Sequence, residues 1–213
     1  MTQLSRLAFI GNSLPRRCGI ATFTTDLQQA IAASTAQVET SIVAMTDHGH
    51  AYDYPSVVRF QINDDKIKDY VRAADFLNAG QFEVVSLQHE FGIFGGEAGG
   101  DIMALLSRLT MPVVTTLHTV LSEPTTVQRG VLNRIADVSS RLVVMAEKGR
   151  ELLRTVYRVP AEKIEVIAHG TRRDRAGEGQ VGLQQQNRHS DVRTALSEQR
   201  HRIHDRCHAV DPQ

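Results

Sequence analysis

The chain has 213 residues and balances 24 lysines and arginines against 24 aspartates and glutamates, a formal net charge of zero that lacks the electrostatic footprint of a nucleic-acid or anionic-membrane binder. Its hydrophobic fraction of 41% fits a soluble globular protein long enough to bury a core without staples. The two cysteines, Cys18 and Cys207, form neither a disulfide framework nor a metal-ligand spacing, so a reducing, cytoplasmic setting is expected.

Taken in order, strand-like runs alternate with segments of helical period. Leu7 to Ile10 is a short apolar run closed by Gly11 and Asn12, a first strand rather than a signal peptide or a transmembrane segment. Beyond the loop Asn12 to Cys18, the residues Phe23, Leu27, Ala30 and Ile31 recur at helical spacing. Strands are expected at Val38 to Met45 and Val57 to Ile62. A helix follows with Ile67, Tyr70, Val71, Ala74 and Leu77 on its stripe, Asp64 as its cap and Gly80 as its end. Val84, Val85 and Leu87 mark the next strand, Ile102, Leu105, Leu106 and Leu109 a helix, and Pro112 to Leu117 a buried strand. Thr125 and Gln128 form a capping box before a helix carrying Val127, Val131, Leu132 and Ile135. A strand at Arg141 to Met145, a helix face of Leu152, Leu153 and Val156, and a last strand at Ile164 to Ile167 complete the alternation. The fold class is therefore α/β, a Rossmann-like parallel sheet with helices on both faces, over residues 5–170.

The chemistry is concentrated where two of these strands end. His89 and Glu90 follow one apolar run and His118 follows another, and ligands in open α/β sheets bind at the carboxyl ends of strands. Glycines at 92, 95, 96, 99 and 100 then permit close backbone approach to a ligand. The chain has no Walker loop, no His-Glu-x-x-His, no Gly-x-Ser-x-Gly and no Cys-x-x-Cys pair, and its loop glycines miss the dinucleotide spacing. Asp64-Asp65 is not the separated Asp-x-Asp of many metal-dependent sugar transferases, and no metal site stands out.

Four segments, Leu14-Pro-Arg-Arg-Cys-Gly-Ile-Ala-Thr-Phe23, Gln88-His-Glu-Phe-Gly-Ile-Phe-Gly-Gly96, Thr116-Leu-His-Thr119 and Ile164-Glu-Val-Ile-Ala-His-Gly170, resemble the amino-terminal half of a GT-B, family-4 retaining glycosyltransferase. The resemblance implies two Rossmann-like domains facing across a cleft, the acceptor held mainly by the amino-terminal one and the nucleotide-sugar donor mainly by the other, with no metal cofactor. It implies that His118 contacts the reacting sugar as the catalytic residue. Gly19, with Arg16 and Arg17, would lie beside the donor phosphates or the acceptor, at a helix start where amides can meet an anion. His89 and Glu90 would line the acceptor side with Gly95 and Gly96, and His169 and Gly170 would match the hinge, where Ala168 replaces the family's proline. Each assignment has a structural alternative: a tight turn with solvated arginines, core histidines, a pair that stiffens the glycine loop.

Residues 171–213 lose the alternation, with scattered apolar residues and no sustained period, so a disordered tail is expected. A shifted reading frame in GC-rich DNA would tend to produce such an Arg-, His- and Gln-rich stretch; an early stop and a genuine divergent tail are the alternatives. On that reading the chain is a truncated transferase that binds a sugar acceptor, takes a nucleotide sugar only if a donor domain is supplied, and transfers nothing alone. The alternatives are a non-catalytic sugar- or partner-binding Rossmann-like domain and one half of a split enzyme.

Overall fold

The computed structural model describes residues 4–34 and 37–168, so the expectations for His169, Gly170 and the segment beyond lie outside the described residues. Among the described residues seven strands form one sheet: β1 (Arg6–Gly11), β2 (Glu39–Thr46), β3 (Val58–Asn63), β4 (Val84–His89), β5 (Val113–Leu117), β6 (Ser139–Val144) and β7 (Ile164–Val166). Their order is β3-β2-β1-β4-β5-β6-β7, and every pairing is parallel. The α/β class with a parallel sheet is thus what the alternation of the sequence predicts.

The period of two along each strand divides its side chains between two layers. From β1, Ala8 and Ile10 enter a core shared with Val85 and Leu87 of β4, under helix α2 (Ile67–Ala79), the short α3 (Met103–Leu106) and one side of α4 (Thr126–Val138). Leu7 and Phe9 point the other way, into a core with Leu27 and Ile31 of helix α1 (Gly19–Ser34). A third cluster seals the β6–β7 side with Leu132 and Ala136 of α4 and Leu153 of α5 (Glu147–Thr155). Helices therefore cover both faces, which is why the central strands read as continuous apolar runs.

Several local expectations meet the structure in detail. Thr125 accepts from the Gln128 N–H at 3.2 Å while Gln128 Oε1 accepts from the Thr125 N–H at 2.9 Å, a complete capping box. Asp64, in contrast, does not cap α2. The helix begins after Lys66 with no side-chain cap, and the neighbouring Asn63 is instead held by Asp69 from the first turn, whose Oδ2 accepts from its amide and its side chain. The helix expected from Ile102 to Leu109 is shorter: a 3-10 turn at Glu97–Ile102 precedes the four residues of α3, because Ala98 and Gly99 hold φ of 52° and 75° and interrupt the α-helical ladder. Among the described residues no helix is long and apolar enough to cross a membrane.

Candidate functional site

Since all strands run parallel, their carboxyl ends share one rim, and the sheet order reverses direction between β1 and β4. A crevice opens at such a reversal, and it is where open α/β sheets bind ligands. Three segments converge there: the loop 12–18 after β1, residues 88–90 at the end of β4, and residues 117–119 at the end of β5.

His118 stands half-buried just past β5. Its Nε2 lies 3.1 Å from Gln88 Oε1, and Phe23 of α1 meets its ring edge-on at 4.9 Å. Its backbone N–H donates to the His89 carbonyl at 3.0 Å, so the pairing of β4 with β5 continues past the end of β5. Gln88 is itself fully buried and donates through Nε2 to Ser86 Oγ at 3.0 Å. On the opposite face of β4, His89 is also fully buried. Its ring lies between Phe91, edge-on at 5.1 Å, and Phe94, stacked at 5.9 Å, and neither ring nitrogen has a hydrogen-bond partner among the described residues. Burial, with a smaller contribution from the charge of His118, pushes the His89 imidazole down to about 4, so it stays neutral at neutral pH.

Glu90 ties the rim together. One carboxylate oxygen accepts from the Phe91 N–H at 3.0 Å and the other from Thr119 Oγ1 at 2.5 Å, which joins the residue after β4 to the second residue after β5. Thr119 lay inside a recognised motif without a role of its own. Only the parallel register of β4 with β5 reveals it as the partner of Glu90.

In the loop after β1, Arg16 is turned toward the end of β2. Its fork grips Asp47 with Nε to Oδ2 and Nη2 to Oδ1, each 2.6 Å, while Tyr52 donates to the same carboxylate at 2.8 Å. The Arg16 hydrogen bonds hold the Asp47 carboxyl below its ordinary range, against the opposing effect of its partial burial. Arg17 and Gly19 are exposed, and a Cβ on Gly19 would meet nothing within 4 Å. The turn between them is gathered by Cys18, whose Sγ accepts from Asn12 Nδ2 at 3.4 Å, Arg16 Nη1 at 3.3 Å and the Ala21 N–H at 3.3 Å. Sequence reasoning assigned Cys18 no such function; its place just before the first residue of α1 was the available signal.

Gly95 and Gly96 lie beside the chain's own groups. A Cβ on Gly95 would overlap the Asp64 carbonyl, and the Gly95 N–H donates to the Tyr70 hydroxyl at 2.8 Å, which donates in turn to that carbonyl at 3.0 Å. Gly96 has φ 75°, and a Cβ there would come 2.5 Å from Asp101 Oδ1. Thus the structure gathers Gln88, Glu90, His118 and Thr119 at the reversal, directs Arg16 to β2, sets Gly95 against Asp64 just past β3, and sets Gly96 against Asp101. Among the described residues no group of three or more His, Cys, Asp or Glu is arranged to hold a metal ion.

No curated protein sequence matches the chain. Solved structures of similar fold include an alpha-glucosyltransferase in complex with UDP and a 13-mer DNA containing a HMU base, at 12% identity and TM-score 0.54, covering 78% of this chain and 42% of that one. The lipopolysaccharide outer core galactosyltransferase WaaB in its apo form aligns at 9% identity and TM-score 0.53, covering 78% of this chain and 46% of that one. A glycosyltransferase from Rickettsia africae ESF-5 aligns at 14% identity and TM-score 0.53, covering 80% of this chain and 44% of that one. The likeness at these identities is one of fold, and this chain spans less than half the length of each. The sequence model described as Glycosyltransferase Family 4 matches residues 18–175, a stretch that runs from the start of α1 through β7 and takes in both strand ends that carry the site, and the chain belongs to that family.

Proposed function

We propose that residues 4–168 are the acceptor-side domain of an enzyme that transfers a sugar from a nucleotide-sugar donor to an acceptor, working in a reducing, cytoplasmic setting. The observation that supports this reading best is His118, half-buried at the sheet reversal and braced by Gln88 and Phe23, in a chain of Glycosyltransferase Family 4. In this reading His118 hydrogen-bonds the reacting sugar, and rate comes from holding two sugars in register and from charge stabilisation of the departing diphosphate. The open start of α1 at exposed Gly19, with exposed Arg17 in the loop just before it, can meet part of that charge through backbone amides and a guanidinium. The remaining donor contacts belong to a second domain, so no turnover is expected from residues 4–168 alone, and no metal takes part.

The test joins the chain to a family-4 donor domain and compares it with His118→Ala. Turnover should fall by about 100-fold or more, within the usual range for a lost catalytic group, while the melting temperature changes little. Normal specific activity in the folded variant would refute the role. A thermal-shift panel of nucleotide sugars belongs beside it, because a ligand that binds only the native state raises its midpoint. The internal engagement of Arg16 and Glu90 favours a second reading, a sugar-binding domain without transfer, and binding with no turnover in the joined protein would select it.

A further inference from the structure

We propose that the loop between β2 and β3 carries an aromatic platform for an outer sugar of the acceptor, which makes that acceptor an oligosaccharide or glycan and not a free monosaccharide. The inference rests on the acceptor-side reading above and names the substrate class of the same rim. His50, Tyr52 and Tyr54 alternate along this loop, and each ring is fixed by its polar end. Tyr54 donates its hydroxyl to the Met45 carbonyl at 3.1 Å, Tyr52 donates to Asp47 Oδ2 at 2.8 Å, and His50 Nδ1 lies 3.2 Å from the His48 carbonyl. A ring tied down in this way has its face left to offer. Tyr52 leans on Tyr54, with centroids 5.5 Å apart and planes tilted by 49°. His50 runs nearly parallel to Tyr52, with 12° between planes and 6.1 Å between centroids. Rings in full face contact sit about 3.5–4 Å apart, so these two are slipped or parted and neither covers the other. His50 is exposed and Tyr52 half-buried.

The edge of the platform suits hydroxyl groups. Arg16, reaching over from the loop after β1, grips Asp47 through Nε and Nη2, and Asp47 is the group that anchors Tyr52. Beyond these bonds the carboxylate keeps capacity to accept and the guanidinium keeps N–H groups to donate. An acceptor and a donor side by side at the border of electron-rich ring faces match a pyranose, which has an apolar C–H face and hydroxyls around it. A phosphate would meet the like charge of Asp47, and an aliphatic chain would leave the polar edge unused. Position supplies the length of the ligand. The ends of β2 and β5 are separated by the steps β2-β1-β4-β5, about 14 Å at the usual strand spacing. One sugar ring cannot reach His118 and the platform together, whereas a short chain of sugars can.

The experiment is an NMR titration of the full chain, its tyrosine rings labelled with carbon-13, against neutral mono-, di- and trisaccharides of glucose, galactose, mannose and N-acetylglucosamine at millimolar concentration. The chain has four tyrosines, and Tyr70 and Tyr157 are buried, so their signals are internal controls. At least one di- or trisaccharide should shift the Tyr52 signals saturably, leave those of Tyr70 and Tyr157 in place, and bind more tightly than its monosaccharide. Tyr52→Ala should weaken that binding about tenfold, the scale of a lost aromatic contact. Tyr52→Phe, which keeps the ring and loses only the bond to Asp47, should retain most of it. His50→Ala removes an exposed ring and gives the same test, read on Tyr52, should Tyr52→Ala fail to fold. Rings that only fasten the crossover from β2 to β3 would change the melting temperature with no response to saccharide. The proposal is overturned if no member of the panel moves Tyr52, if monosaccharides bind as well as longer chains, or if folded His50→Ala binds as the wild type does. Binding at Tyr52 without turnover in the joined protein would refute transfer alone, and turnover without a shift at Tyr52 would refute the platform alone.

Discussion

An imidazole with two unpartnered nitrogens in an apolar enclosure is an uncommon element of a protein interior, because each buried polar atom without a partner costs free energy. His89 accepts that cost in its neutral form only. Its ordinary value of 6.5 falls to about 4 in the folded chain, first through burial and then through His118. Between those two values the unfolded chain takes up a proton that the folded chain refuses. The native state is therefore at its full advantage above about 6.5 and loses it as pH falls toward 4, by roughly 3 kcal/mol at the limit of a shift of this size. His89→Leu should flatten the melting temperature against pH across this window while leaving the neutral-pH value nearly the same or higher. An unchanged acid slope in the variant would place the sensitivity in another group.

At the scale of elements, the glycine-rich loop after β4 separates two roles that look alike in sequence. Gly95 has the Asp64 carbonyl where a side chain would begin, whereas Gly19 at the start of α1 has open space. Gly95→Ala should destabilise by about 1–3 kcal/mol, the usual cost of forcing atoms into a filled site, and Gly19→Ala should be close to neutral in denaturant unfolding. Equal midpoints for the two variants would show that the loop yields freely. The same elements show what a sequence can disclose. Strands buried on both faces declare themselves by apolar runs, and the Thr125–Gln128 box by its spacing, because those signals are local. Asp64 and Asp69 both stood near the start of α2, and only the folded chain shows that Asp69 reaches Asn63. His118 was visible as a polar residue closing an apolar run. Gln88 was not, since its meaning comes from Ser86 two residues back on the same face and from His118 across a strand pair. Arg16 was visible as a cation near a helix start, yet its partner Asp47 lies at the end of a different strand.

Across the whole molecule, the seven parallel strands place every chemically active segment on one rim, while the bonds within that rim run sideways from strand to strand: Arg16 to Asp47, His118 to Gln88, Thr119 to Glu90. The glycine loop belongs to this fastening. Gly95 is held to Tyr70, Tyr70 to the Asp64 carbonyl, and the Asp101 N–H donates back to the Gly95 carbonyl at 3.0 Å. A segment so rich in glycine would ordinarily keep a large share of its conformational entropy until a ligand ordered it, yet here that entropy is surrendered when the chain folds. The amides of Gly95 and Asp101 should then exchange with deuterium on the timescale of the β4 amides, and exchange as fast as in an open loop would contradict the latch. If the latch holds, this loop does not close over a ligand as a lid. Exclusion of water from the rim then has to come from something other than this loop, and affinity at this loop escapes the ordering penalty that a flexible one would impose.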